Sequence, residues 1–512
     1  MTLILFLLAS MNGCTTFAQT PNPTSDRPNE SDLFGSGPTN TDAETATKPN
    51  LPVVSPTPGN GALPEGLVVS ATPHNVFDTG EVTDNPLQMG GIYYQRMIAS
   101  AAQGVAAGNT PISAPLQVDG FLDGRPNDRI RAFVDARLMF DPTRDQYSNT
   151  TAGPGSGSFQ SASTSSAPTS VPGLGVNTSV PNNPQVGLDQ AWLKFDIDRT
   201  VFVTAGKQHV KWGVSRFWNP TDLLNTQKRD PLLPYDLRLG NTMAKFEVPV
   251  EAAKSNFYAI ALFDNPQPAS TLAQIGGAFR AETTAIGNAE LGIDAVFRGG
   301  TFPVYGLDFS TPVGPLDFYL EAAYKMGTTF PIYQVPANIV AGSNFASLIS
   351  IEPISGPVLQ TSGGISYDFA WRDNRQATIG AEYFYNQIGY TDPHAYPALI
   401  FLDQFQPFYT GRHYAAIYLT AEGPDAEKHT SYTLSTLGNL SDMSFITRLD
   451  FSWRFLTYLT FEAYVDGHYG TKGGEFNFAL NTPYLTYAGS PIPPIDVPRT
   501  LFDVGVGLRV SF

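Results

Sequence analysis

From Phe502 to Phe512 the chain alternates without interruption, and this narrows what the whole can fold into. Phe502, Val504, Val506, Leu508, Val510 and Phe512 fall on one side; Asp503, Gly505, Gly507, Arg509 and Ser511 fall on the other. A period of two marks an extended strand with two different faces. In a soluble sandwich the apolar face would look into a core. Here charge and glycine recur on the opposite face in segment after segment, as a wet interior with lipid outside requires. In 316–325, Leu316, Phe318, Leu320, Ala322 and Tyr324 oppose Asp317, Tyr319, Glu321, Ala323 and Lys325. In 445–454, Phe445, Leu449, Phe451 and Trp453 oppose Arg448, Asp450, Ser452 and Arg454. In 129–140, Ile130, Ala132, Val134, Ala136, Leu138 and Phe140 oppose Arg129, Arg131, Asp135 and Arg137. Ile446 and Phe133 break the pattern by falling on the inner side.

A bilayer can be crossed by helices or by a closed sheet, because every backbone N–H and C=O must be paired inside hydrocarbon. After the N-terminus no apolar run approaches the ~20 residues of a spanning helix. The closed sheet needs strands that are only half apolar, which fits a mean hydropathy of −0.12. Only 15% of the residues are charged, against roughly 25% in soluble domains. Aromatics reach 12%, and 47 Gly with 42 Pro suit many turns and long loops. The expected fold is all-β: a transmembrane antiparallel up-and-down barrel of about 18 strands, or 16 if one hairpin is miscounted.

The strands are placed near 89–101, 114–123, 129–140, 187–196, 200–210, 241–249, 255–263, 274–283 and 286–297. They continue near 303–311, 315–326, 358–369, 376–387, 411–421, 430–438, 443–453, 456–469 and 501–512. Short connectors such as 124–128, 197–199, 312–314, 370–375 and 454–455 then alternate with the long stretches 141–186, 211–240, 327–357, 388–410 and 470–500. Every long stretch falls on one side of the membrane. Outer-membrane barrels have this asymmetry, with short periplasmic turns and longer external loops, and an even strand number puts both ends in the periplasm.

Leu3-Ile4-Leu5-Phe6-Leu7-Leu8-Ala9 is a short apolar core, and Thr16 and Ala18 are small residues suited to signal-peptidase cleavage before Gln19. Residues 1–18 are thus expected to be a signal peptide. The alternative is a lipoprotein signal acylated at Cys14, although Met11-Asn12-Gly13 lacks the usual leucine ahead of it. Residues 19–85, rich in Pro, Thr, Asn and Gly, bury too little apolar surface to order themselves and are expected to form a disordered periplasmic segment. It serves either as a linker or as a docking segment for the cell wall or a partner. The barrel occupies 86–512.

Cys14 is the single cysteine, so no disulfide, thiol nucleophile or zinc–cysteine cluster is expected, and a net charge of −16 disfavours nucleic acid. Gly-x-Ser-x-Gly, His-Glu-x-x-His and the phosphate-binding Gly-x-x-x-x-Gly-Lys motif do not occur. His209, His413, His429 and His468 show no ligand spacing. Carboxylate pairs such as Asp317/Glu321 and Glu462/Asp466 share a strand face and suit lumen ion pairs better than acid–base catalysis. Neither an enzyme, a cofactor nor a metal is expected. On the inward register lie Arg129, Arg131, Asp135, Arg137, Lys194, Glu321, Arg448, Asp450, Glu462 and Arg509. Opposed acidic and basic rows of this kind tune ion preference in channels; the alternative is internal salt bridging in a plugged barrel.

Two segments carry a family likeness. The close of the chain, with Gly507, Val510 and Phe512 at the glycine, hydrophobic and terminal aromatic positions, resembles the C-terminal β-signal read by the barrel-assembly machinery. Gly505 stands where that pattern prefers a polar residue. Gly206-Lys207-Gln208-His209-Val210-Lys211-Trp212-Gly213, continuing through Phe217-Trp218-Asn219-Pro220-Thr221-Asp222-Leu223-Leu224-Asn225, resembles the strand-to-loop motif of porin-like outer-membrane barrels, including alginate-export-like and phosphate-porin-like ones. The resemblance implies a Gram-negative outer-membrane channel for passive diffusion of small hydrophilic solutes. It also implies that the third loop, 211–240, folds into the lumen; the alternative is an external loop that packs over the rim. Asn219 as cap, Pro220 at the first helical position and Asp222 in the first turn predict a short helix there. Lys211, Trp212, Arg216, Asn219, Asp222 and Arg238 are then expected at the constriction. The implied partners are outer-membrane lipid, lipopolysaccharide, the assembly machinery and the solute, with homo-oligomerisation left open. A non-transporting plugged barrel for surface adhesion or envelope assembly is the competing reading.

Overall fold

Half-apolar strands cannot leave an edge bare in a membrane, and this chain leaves none. The structure, a computed structural model, describes residues 86–143 and 183–512 apart from 234, 266, 269–270, 337, 372–374, 403, 425–428 and 488–489. The signal peptide, the 19–85 segment and residues 144–182 of the first long loop lie outside the described residues.

Eighteen antiparallel strands form one closed barrel. They are β1 (Leu87–Ala102), β2 (Leu116–Asn127), β3 (Ile130–Phe140), β4 (Gln185–Ile197), β5 (Val201–Gln208) and β6 (Asn241–Val250). Next come β7 (Ser255–Leu262), β8 (Gly276–Ile286), β9 (Ala289–Phe297), β10 (Val304–Val313), β11 (Leu316–Gln334) and β12 (Ser350–Trp371). The last six are β13 (Arg375–Asn386), β14 (His413–Glu422), β15 (Thr430–Asn439), β16 (Ser444–Leu456), β17 (Leu459–Gly470) and β18 (Thr500–Ser511). Each pairs with its sequence neighbour, and β18 returns to β1 from Ile92↔Ser511 to Ala102↔Thr500. Beyond that ladder Phe512 and Gly91 exchange backbone hydrogen bonds of 3.1 and 2.8 Å.

The alternation sorts as expected. On β18, Phe502, Val504, Val506, Leu508 and Phe512 are exposed on the outer face, while Asp503 is buried at 1% exposure. Gly505 is inward because the ring of Tyr464 lies on it: a Cβ there would sit 2.1 Å from the Tyr464 ring. A polar side chain at this place would displace the tyrosine. Gly507 likewise lies under Tyr94. Outward aromatics gather near both rims, with Trp371, Trp453, Phe455, Tyr458 and Phe512 at the short-turn end and Phe297, Phe302, Tyr305, Tyr469 and Phe502 at the other. Such paired girdles mark the two membrane interfaces of a transmembrane barrel.

Connectors of two to a few residues, such as 128–129, 198–200, 287–288, 314–315 and 457–458, close one rim, where Leu87 and Phe512 also lie. The long connectors 209–240, 335–349, 387–412 and 471–499 all leave the other rim. Three boundaries differ from the sequence expectation. β11 and β12 run beyond the wall as a long hairpin, still paired at Tyr333↔Ile351, because the β-branched and aromatic residues of 327–357 continue the ladder. The 387–412 connector contains a short helix, Tyr396–Phe401. The 471–499 connector folds into two small hairpins, 480–482 with 495–497 and 485–487 with 490–492. These three connectors pack on one another through Phe345, Tyr396, Leu399, Phe478, Leu480, Leu485 and Ile495, forming an apolar cap over the long-loop mouth.

Candidate functional site: a loop seated in a charged lumen

Connector 209–240 turns into the barrel rather than over its rim. Two inward carboxylates hold it. Glu321 on β11, fully buried, accepts from the backbone N–H groups of Val214 (2.6 Å), Ser215 (2.5 Å) and Thr221 (3.1 Å), and from the Thr221 hydroxyl (2.6 Å) and the Asn219 amide (3.2 Å). Glu382 on β13 accepts from the N–H groups of Arg216 (2.8 Å), Phe217 (3.2 Å) and Trp218 (2.8 Å), and from the Tyr319 hydroxyl (2.9 Å). Gly213 has φ +97°, and any Cβ there would meet both Glu321 oxygens and Thr221 Oγ1 at 2.7 Å. Only glycine lets the backbone come this close to the wall carboxylate.

This anchorage replaces the helix expected from Asn219, Pro220 and Asp222. Residues 219–222 form a turn, with Asp222 N–H donating to the Asn219 carbonyl at 3.2 Å. Asn219 does not cap; its amide donates to Ser215 and Glu321. Glu321 takes the Thr221 N–H that an Asn219 cap would have served and draws the Asn219 amide to itself, and tertiary context overrides the local preference.

Apolar packing completes the seat. Trp218, fully buried, stacks on Phe384 with centroids 5.9 Å apart and donates its indole N–H to the Phe408 carbonyl at 2.9 Å. Ile446, one of the residues that broke the alternation, belongs to this cluster with Phe217, Tyr414 and Leu437. Trp212 and Leu224 pack with Met243, Ile260 and Ala278 on β6 to β8. Further along, Tyr235 donates to Glu462 on β17 at 2.8 Å and meets Tyr94 edge-on, and the Leu237 carbonyl accepts from Arg137 on β3 at 3.0 Å. The loop therefore touches the wall all the way round. It is pinned on itself by Arg238, which bridges Asp222 at 2.7 Å and Asp236 at 2.5 Å. Burial opposes ionisation of Asp236, but Arg238 outweighs it and holds that carboxyl well below the usual carboxylate range.

Of the six residues expected at the constriction, Trp212, Asn219, Asp222 and Arg238 are buried in this seat and Lys211 is half-buried. Arg216 is the exposed one. Its guanidinium lies 4.1 Å above the Tyr418 ring and donates to Thr420 Oγ1 at 3.2 Å.

The inward charges fall into arcs of neighbouring strands. On β2 to β4, Arg137 bridges Asp119 (3.0 Å) and Asp189 (2.8 Å), Arg131 and Arg125 share Asp123, and Asp135 is buried with Oδ1 lacking a hydrogen-bond partner. Lys194 lies 5.8 Å over the Phe202 ring. Arg129 stands in the turn at the rim, with a half-exposed side chain 2.8 Å from Asp196. Phe133, the other break in the alternation, stacks between Phe121 and Trp192 inside the lumen. On β16 to β18, Arg448 meets Asp450 at 2.8 Å and Arg509 meets Glu462 at 3.2 Å. Acid and base sit side by side on the same wall, where the sequence reading had opposed rows.

No family model and no curated protein matches the chain. Among solved structures it is similar to Acinetobacter baumannii OccAB1, at 10% identity and a TM-score of 0.46, over 85% of this chain and 98% of that one. It is also similar to a triple mutant of the Rhodopseudomonas blastica porin, at 11% identity and a TM-score of 0.36, over 83% of this chain and 100% of that one.

Several inward groups escaped the sequence reading. Glu382 is one, and Arg280 another; on β8 the latter bridges Glu282 (2.5 Å), Asp294 (2.7 Å) and Asp308 (2.7 Å) from three strands. Inward parity along each strand carried the signal, since Arg280 pairs directly with Asp294. Asp466, His468 and Asp503 also come together, the first two on one strand face and Asp503 from the neighbouring strand, a grouping the sequence reading did not make.

Proposed function

We propose that this protein is a porin-type channel of the bacterial outer membrane, passing small hydrophilic solutes by passive diffusion through a waist made by 209–240. One observation carries this reading: a loop from the long-connector rim enters the barrel and is bonded to inward carboxylates on β11 and β13. An external lid would need no such anchorage. In this reading the short-turn rim and both chain ends face the periplasm, lipid and lipopolysaccharide surround the apolar band, and the assembly machinery receives β18. Arg131, Asp135, Arg137, Lys194, Glu321, Arg448, Asp450, Glu462 and Arg509 line or brace the passage, with Arg129 at its rim. The likeness of 206–225 to alginate-export-like and phosphate-porin-like barrels accords with a channel of this class.

A second reading has an observation of its own. The loop packs on many strands of the wall and the long connectors pack into an apolar cap at their rim, which suits a plugged barrel acting at the surface. Single-channel recording of the purified, folded protein in planar bilayers separates the two. Discrete conductance steps that grow on deleting Pro220 to Asp230 support the channel. Silence from both proteins, each shown to be folded, leaves the plugged barrel as the better reading.

A further inference from the structure

Near the long-loop end of the wall, three ligand-type side chains converge away from the loop's anchorage. Asp466 and His468 share the inner face of β17, and Asp503 faces them from β18, directly opposite Asp466. They are 1%, 6% and 1% exposed. His468 Nδ1 lies 2.8 Å from the Phe476 carbonyl, which can only accept, so Nδ1 carries a proton. Its Nε2 faces Asp503 Oδ2 at 3.2 Å and Asp466 Oδ1 at 3.3 Å. The Nε2 atom and two carboxylate oxygens thus converge, Asp466 Oδ1 also accepting the Asp503 N–H at 3.2 Å, and the carboxylates need positive charge there, from a proton on Nε2 or from a bound cation.

A proton on Nε2 fits this geometry poorly. One N–H shared between two oxygens makes two weaker bonds, and both separations exceed the about 2.7–2.9 Å of a charge-assisted N–H···O bond. A metal ion bound tetrahedrally at about 2.0–2.1 Å would space its ligands by about 3.3 Å. Asp466 Oδ2 and Asp503 Oδ1 also lack hydrogen-bond partners, although Arg448 Nη1 stands 3.8 Å from the former. Two carboxylates against that one guanidinium leave negative charge for a divalent cation to offset. The Nδ1–H bond to a backbone carbonyl is the outer contact that orients a metal-ligating imidazole. We propose that Asp466, His468 and Asp503 bind one divalent transition-metal ion. An imidazole with two carboxylates suits zinc, and the ion would tie β17, β18 and the Glu475–Asn477 turn together.

The test uses Zn²⁺ on full-length protein folded in detergent, stripped with chelator and dialysed. One equivalent should bind, and His468→Gln and Asp503→Asn should each weaken binding at least tenfold while still migrating as heat-modifiable barrels. No stoichiometric binding by the folded parent, or equal binding by both folded variants, overturns the proposal. Should a variant fail to fold, X-ray absorption of the zinc-loaded parent decides. One imidazole plus oxygen ligands supports the site, and a shell of oxygens alone overturns it.

Discussion

Glu321 and Glu382 each do for the loop what a run of helical carbonyls would otherwise do, gathering several N–H donors on one carboxylate. Removing such an acceptor leaves buried donors unsatisfied, at about 1–3 kcal/mol each. Glu382→Ala should therefore unseat the 216–218 turn, lowering thermal stability and adding rapid gating flicker to single-channel traces, whereas Glu382→Gln, which keeps one good acceptor, should do so less. Equal, quiet traces from both variants would remove Glu382 from the anchorage. A third buried carboxyl lies in the cap. Glu475 accepts from Tyr414 (2.5 Å) and Asn439 (2.7 Å), and from the Phe408 N–H, and its own N–H donates to Asp442 at 2.8 Å. Burial, and then the nearby Asp442 charge, push its carboxyl from an ordinary 4.5 up to about 8. The packed cap holds the protonated form better than the exposed chain does. Its stabilisation is complete below about pH 4.5 and is lost as pH rises towards 8. Amide exchange at 471–477 should accordingly be slower at pH 5 than at pH 9, after correction for intrinsic rates, and Glu475→Gln should flatten that difference.

Among whole elements, the strands were legible and the loop's conformation was not. Each strand announces itself in its own residues, because lipid on one face and water on the other impose a period of two wherever the wall passes. The short helix expected from Asn219 rested on local capping logic, and it failed because Glu321 on β11 takes both the Thr221 N–H and the Asn219 amide. The charges were legible in parity but not in pairing: Arg280 finds Asp308 only when three strands stand side by side. His468 looked isolated for the same reason, the third member of its cluster, Asp503, lying across the ladder on β18. Three expectations follow for the elements. Arg216→Glu reverses the exposed charge on the loop and should shift the ion-selectivity ratio towards cations, read as a changed reversal potential in a salt gradient. Asp222→Asn, at the buried Arg238 pair, should mainly lower stability, by about 1–3 kcal/mol. Phe512→Ala removes the outward aromatic at the closing seam and should lower the amount of heat-modifiable barrel in the outer membrane.

For the molecule as a whole, the separation of short and long connectors onto opposite rims fixes a testable topology. A protease site inserted after Gly342, in the 335–349 connector, should be cut on intact cells, while one placed in the 457–458 turn should be protected. The reverse pattern would invert the barrel. The seating of 209–240 also has a consequence in time. Its anchors lie far downstream, Glu321 being 107 residues beyond Val214 and Glu382 166 beyond Arg216. A growing sheet that has reached only β10 offers the loop's N–H groups neither of these two carboxylates, so they must stay hydrated while the later hairpins are laid down. Narrowing of the lumen then belongs to the close of biogenesis. Trp218→Cys, followed with a thiol reagent during assembly, should label readily at first and become protected only once β13 has joined the sheet; protection before that point would mean that the loop finds its place without the wall.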